Sequence, residues 1–218
     1  MLLINADFSL PAIVTPDDYR WVESPQGGVS RVMLDRVGAE QARATSIVRY
    51  APDSFFPRHQ HPGGEEILVL SGTFSDDQGQ YPAGWYLRNP PGSSHQPFSV
   101  EGALIFVKLR QMAAAEHRTV RIDTRDASNW RRLEGGDVCP LFDDGAEQVR
   151  LHRLGAGAPL FSGPVEGTEL LVIEGSLAQD GRRYESGSWI RLPKGDHAGI
   201  AAGAGGATLY LKSGHLGS

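Results

Sequence analysis

The sequence predicts an all-β protein made from two copies of one barrel-like unit, and three observations carry that expectation. There are 27 glycines and 14 prolines in 218 residues, a level that suits many tight turns better than long helices. Runs of four to eight residues rich in β-branched and aromatic side chains recur between Gly/Pro/Asp punctuation: Thr45–Tyr50, Glu66–Leu70, Trp85–Arg88 and Ala103–Arg110. Finally, the chain repeats itself. Glu66-Ile67-Leu68-Val69-Leu70-Ser71-Gly72 returns as Glu169-Leu170-Leu171-Val172-Ile173-Glu174-Gly175, and Tyr81, Gly84 and Arg88 return as Tyr184, Gly187 and Arg191.

Taken in order, residues 1–20 carry Phe8, Leu10, Ile13 and Val14 and are expected to dock as an arm or extra strand. Within them Thr15-Pro16-Asp17-Asp18 has the composition that opens a short helical turn. The first copy spans 21–110, with Trp21 and Glu40-Gln41-x-Arg43 near its start and a hairpin turn at Asp76-Asp77-Gln78-Gly79. Residues 111–129 read as a linker with a short helix around Met112–His117. The second copy, 130–218, repeats the anchors as Trp130 and Glu147-Gln148-x-Arg150, with a hairpin turn at Gln179-Asp180-Gly181. Short strands at this spacing point to a barrel or sandwich rather than to βαβ units.

Composition narrows the function classes. A hydrophobic fraction of 40% with 22% charged residues argues against disorder. The net charge is −5 and no Lys/Arg run stands out, so no nucleic-acid partner is expected. No stretch has the length and hydrophobicity to span a bilayer, and the first residues lack the basic region of a signal peptide. The single cysteine, Cys139, excludes an internal disulfide and a Cys-pair zinc module, reads as an apolar filler, and fits a cytoplasmic location. Trp21, Trp130 and Trp189 read as packing residues, and the acidic pairs at 76–77 and 143–144 as turn residues. No nucleophile elbow, phosphate loop, HExxH or dinucleotide fingerprint is present.

The chemistry concentrates in the first copy. His59 and His61 are two apart, so on a strand both rings face the same side. Pro62-Gly63-Gly64 then turns the chain and lets a carboxylate, Glu65 or Glu66, return to the same place. His95 follows a second turn at Pro90-Pro91-Gly92. Three imidazoles and a carboxylate suit Zn, Fe, Mn, Ni or Cu.

With these residues the first copy resembles the cupin superfamily. Its first motif appears as His59-x-His61-x3-Glu65-x6-Gly72, and its second as Gly84-x5-Pro90-x-Gly92-x2-His95, with Ser99 where Asn is usual and Asp53 where a glycine is usual. The resemblance implies two tandem cupin jelly-roll (double-stranded β-helix) barrels. It also implies one divalent metal, zinc foremost, with iron, manganese or nickel as alternatives, held by His59, His61, Glu65 and His95. In the second copy the His-x-His position is filled by Leu160-Phe161-Ser162-Gly163-Pro164-Val165 and Thr168 stands for Glu65, which leaves His197 alone. No metal is expected there.

The stretch from His61 to His95 is further similar to the cupin domain of ChrR-type anti-sigma factors, which implies a zinc-binding regulatory role. The sigma-binding zinc domain of those proteins is not expected here, since no Cys pair accompanies the cupin units. The leading expectation is thus a metal-binding sensor or regulatory module answering a small-molecule ligand or oxidant, with a protein partner and either a monomeric bicupin or a homodimer. The alternative is a metal-dependent small-molecule enzyme, foremost an acetylacetone-cleaving-like dioxygenase. A third reading is a structural or storage bicupin. Tyr86, Gln96, Phe98 and Phe106 are the candidate pocket residues.

Overall fold

A computed structural model describes residues 2–25, 27–39, 41–133 and 135–216. Glu40 of the repeated Glu-Gln-x-Arg motif lies outside these residues. The fold is all-β, antiparallel and of the cupin jelly-roll type, with three-residue 3-10 turns at Pro16–Asp18 and Ala127–Asn129. The chain divides into two compact units. The first comprises Met1–Ala6 and Arg20–Arg125, and the second Asp7–Tyr19 and Asp126–Ser218.

In the first unit the principal sheet runs in the order Leu2–Ile4, Val29–Gly38, Arg43–Tyr50, Ala103–Leu109, Glu65–Asp76, Trp85–Asn89, Val120–Asp123. In the second it runs Arg131–Leu133, Gly136–Asp143, Gln148–Leu154, Ala201–Ser213, Val165–Gln179, Trp189–Gly195, Ala12–Val14. From the second strand onward the orders correspond, so the sequence repeat is a repeat of topology. The last strand of each sheet has an unexpected origin. Ala12–Val14, which precedes the first copy in the chain, pairs with Trp189–Arg191 of the second unit. Val120–Asp123, which precedes the second copy, pairs with Trp85–Arg88 of the first. The arm therefore docks as a strand as expected, and residues 120–123 of the expected linker are a strand of the first unit.

Strand alternation builds each core. In the first unit Val29, Tyr50, Ile67, Val69, Leu87, Ala103, Ile105 and Val107 share the inward face, joined by Phe74 and Tyr81. Leu154, Leu170, Val172, Ile190, Leu209 and Leu211 do the same in the second. The motif glycines allow the longest strand to bend. Gly72 and Gly175 have φ of +67° and +73°. An added Cβ would lie 2.0 Å from the Gly102 carbonyl oxygen at the first and 2.2 Å from that of Gly206 at the second. Only glycine fits both the dihedral and the space.

Three local expectations are met: the turn at Thr15–Asp18, with its capping box, and the hairpin turns at 76–79 and 179–182. The helix expected at Met112–His117 is not formed, and a single turn at 113–116 stands in its place. The amides of Arg110 and Met112 are already committed to the carbonyls of Gly64 and Gly63, and the few residues left are too few to nucleate a helix. Trp189 is fully buried and donates to Glu169 Oε1 at 2.7 Å. Trp21 and Trp130 are not core residues. They are half-buried, each beneath a guanidinium, Arg49 at 3.8 Å and Arg153 at 4.1 Å. Cys139 is wholly buried, which pushes its thiol up to about 11 and makes it an inert filler.

Candidate metal centre

The first unit carries a small two-stranded sheet with no counterpart among the described residues of the second: His59–His61 against Ser93–His95. Its register sets His95 opposite His59 and Ser93 opposite His61. Because i and i+2 share a face, all three imidazoles and the Ser93 hydroxyl lie on one side. The connection from His61 to Glu65 is tight. Gly64 N–H closes a turn onto the His61 carbonyl at 3.1 Å. A Cβ on Gly63 would meet Arg110 Cα at 2.8 Å, and one on Gly64 would collide with the Met112 side chain. The glycine pair thus lets the strand end at Leu109 press against the turn, and Glu65 emerges beneath the histidines. Parity settles which glutamate is available. Glu65 faces the imidazoles, whereas Glu66 points to the opposite face and pairs with buried Arg88 at 3.2 Å.

His59, His61, Glu65 and His95 each offer a donor atom, and these atoms all lie within 4.8 Å of one another. Among the described residues no other group of this kind is found. Ring centroids of the three imidazoles are 4.7–5.1 Å apart. His61, Glu65 and His95 are buried and His59 is half-buried.

The hydrogen bonds orient every ring in the same sense. His59 Nδ1 donates to the Pro57 carbonyl at 2.9 Å and His95 Nδ1 to Asp76 Oδ2 at 3.0 Å, while His61 Nδ1 shares a hydrogen bond with Ser93 Oγ at 3.1 Å. The acceptor-only partners of His59 and His95 leave each of their Nε2 atoms with a lone pair, and the Ser93 hydroxyl is compatible with the same tautomer at His61. Asn89 Nδ2 donates to Glu65 Oε2 at 2.9 Å, and Arg121 holds Asn89 Oδ1 at 2.7 Å. Burial resists ionisation of Asp76, but hydrogen bonds from His95 and the Gln78 amide outweigh it and hold this carboxyl below its ordinary value. Burial also pushes the His61 imidazole down to about 4, against the pull of Glu65, so the ring is neutral at pH 7.

The polar accounting of the donor set shows that it fits a cation. His61 Nε2 and His95 Nε2 lie 3.4 and 3.3 Å from Glu65 Oε2. Both are buried, and neither makes a hydrogen bond. A buried polar atom without a partner costs about 1–3 kcal/mol, and here two such atoms converge on one carboxylate. A divalent cation among the four donors satisfies all of them, so the residues fit a metal.

Beside the cluster lies a cavity of about 390 Å³. Its walls are mostly apolar, with Val29, Val48, Tyr50, Ile105 and Val107 among them, and His59, His61 and Glu65 belong to its lining. None of the four expected pocket residues lines it. Tyr86 and Phe106 both stand opposite Leu68 in register, on the reverse face of the sheet, while Gln96 is exposed and Phe98 pairs with Phe55. Asp76, Asn89, Arg121 and Arg31 were not singled out by sequence reasoning. Asp76 carried a signal only for its turn, which it also caps through Oδ1 to the Gln78 amide at 2.8 Å.

Among its described residues the second unit offers no such centre. Thr168 is buried where Glu65 would stand, and half-buried His197 donates from Nε2 to the Pro193 carbonyl at 2.7 Å.

Fold and site together define a cupin-type domain whose cluster of three histidines and one glutamate is able to hold a metal. Residues 10–113 match the family model described as the ChrR cupin-like domain. No curated protein sequence matches the chain. Among solved structures, a putative dioxygenase from Nostoc punctiforme superposes with a TM-score of 0.72 at 14% identity, over 100% of this chain and 84% of that one. The pirin YhhW of Escherichia coli, in complex with nickel(II), gives 0.68 at 13% identity, over 94% and 98%. A deletion mutant of the oxalate decarboxylase OxdC of Bacillus subtilis gives 0.61 at 14% identity, over 93% and 76%. At these identities the likeness is one of fold.

Proposed function

We propose that the first unit is a single divalent-metal centre acting on a small molecule in the adjoining cavity, as a metal-dependent cupin enzyme with dioxygenase-type chemistry foremost. The observation that carries this reading is the pair of buried, unpartnered Nε2 atoms converging on Glu65 at the wall of a 390 Å³ apolar cavity. A purely structural metal site needs no such cavity. A bound divalent ion would supply Lewis acidity and a site for oxygen or substrate oxygens. The chain's own residues do the rest. His59, His61, Glu65 and His95 supply the donors. Asp76, Ser93 and Asn89 hold His95, His61 and Glu65 in the required orientation. The apolar walls exclude water from the reacting face. In this reading the second unit is a metal-free barrel, so the chain is a bicupin with one working site.

A second reading is favoured by the match of residues 10–113 to the ChrR cupin-like domain. There the same centre is a regulatory module, with zinc as the resident ion and the cavity ligand altering the surface seen by a protein partner.

Metal analysis of protein purified without added ions tests the common core. About one equivalent of metal is expected in the wild type and essentially none in His61→Ala, with β-sheet circular dichroism retained. Equal metal content in the two proteins removes the assignment. Oxygen uptake by iron-loaded protein with β-diketone or phenolic substrates supports the enzyme. Silence across that panel with zinc as the native ion supports the regulatory module.

A further inference from the structure

Arg31 stands in a place where the fold calls for an apolar residue. It lies two residues from Val29 on the Val29–Gly38 strand and pairs in register with Val48. Val29 and Val48 both line the cavity, and so does Arg31. Alternation therefore sets a guanidinium on the inward, apolar face. Its Nε is buried without a hydrogen-bond partner, and no carboxylate pairs with it among the described residues. Arg110 lines the same cavity, just past the strand end at Leu109, and it too has no ion-pair partner among the described residues. Its stem is seated over Gly63 of the metal-site turn. Among the described residues Glu65 is the single carboxylate in the cavity lining, against these two arginines, and a metal ion would consume its charge. Leaving guanidinium charge half-desolvated and unpaired is unfavourable for folding, which is what a site awaiting an anion looks like.

We infer that the cavity receives a small organic anion, a carboxylate with an apolar body, whose charged end is taken by Arg31 and Arg110. Its body lies against Val29, Val48 and Ile105. The volume, about 390 Å³, falls in the lower part of the range for small-molecule sites and suits a short-chain or single-ring acid. This deepens the metal-centre reading by naming the substrate or effector class, and it can be tested apart from it.

The test uses the full chain as purified, with metal quantified in every sample, and calorimetric titration with hexanoate and its neutral isostere hexanamide. Wild type is expected to bind hexanoate at least about tenfold more tightly than hexanamide. Arg31→Met is expected to lose most of that preference while keeping its metal and its hexanamide affinity, and Arg31→Lys to keep part of it. The thermal midpoint of Arg31→Met is expected to equal or exceed wild type, because an unpaired guanidinium has been replaced by an apolar side chain; a structural arginine would give a lower midpoint. His61→Ala, lacking metal, leaves the Glu65 charge in the cavity and should weaken the preference for the acid without abolishing it, since both arginines remain. Equal binding of acid and amide by wild type, absence of hexanoate binding, or a preference that survives Arg31→Met but vanishes in His61→Ala overturns the assignment. Failure of the metal reading shows separately, as wild-type protein without metal whose preference for the acid persists.

Discussion

Asp76→Asn is the most discriminating perturbation of the metal centre, because it changes one charge and almost no volume. Asp76 Oδ2 accepts from His95 Nδ1 at 3.0 Å, and its other oxygen caps the 76–79 turn. The carboxylate does two things for His95: it fixes the tautomer that leaves Nε2 free, and it raises the basicity of that nitrogen. An amide in its place can still accept one hydrogen bond, but it contributes no charge, and a flipped amide would favour the wrong tautomer. Loss of such a carboxylate partner typically costs 10–100-fold in metal affinity, or about 1.4–2.7 kcal/mol. The assay is competition for zinc against a chromophoric chelator at pH 7, with urea unfolding of the metal-free protein run in parallel. Weakened metal binding with a metal-free stability within about 1 kcal/mol of wild type is expected, since the one amide oxygen can keep the turn cap only by presenting its NH2 group to His95 Nδ1. Unchanged zinc affinity in a folded Asp76→Asn protein would show that His95 does not ligate, and the four-residue assignment would fall.

Two other outcomes are expected. The folded-state value of His61 is held by burial at about 4, below the ordinary 6.5, and His152 is lowered in the same sense by burial and by nearby Arg150. The unfolded chain therefore binds more protons in this window, so the stabilisation is complete above about pH 6.5 and is lost as pH falls towards 4. Urea midpoints of metal-free protein should drop between pH 7 and 4.5, with a shallower drop in His61→Gln; superimposable profiles for the two would count against a buried neutral imidazole. At Gly72, alanine would meet both a left-handed dihedral and a carbonyl oxygen 2.0 Å from its Cβ. A loss of about 3 kcal/mol or more is expected in thermal or urea unfolding, and wild-type stability in Gly72→Ala would refute the packing described there.

The legibility of this protein divides along the range of the interactions. The His59–His61 pair could be read because side-chain parity on a strand is local, and the turn that returns Glu65 follows four residues later. The repeat disclosed that two units share one topology, since the same apolar alternation and the same glycines recur. Glu65 and Glu66 could not be separated by residue pattern alone, because choosing between adjacent strand positions requires knowing which face is inward; register against Asn89 and Arg88 decides it.

Features that depend on distant register were not legible. Asp76 looked like a turn residue because His95, its partner, is 19 positions away, and Arg31 carried no signal in the sequence, since only pairing with Val48 sets it on the cavity wall. The same holds for Ala12–Val14, expected as an arm or extra strand without the sheet that receives it, and for Val120–Asp123, which was read as part of a linker. Local pattern was enough for the all-β class, the twofold repeat and the His59–His61 pair, because each rests on periods of two residues and on turns of three or four, whereas Glu65 in preference to Glu66 came from the cupin resemblance. The folded chain was needed to show how those donors are oriented, which sheet each leading strand completes, and which charges face the cavity, because all three are set by hydrogen-bond register between strands far apart in the chain.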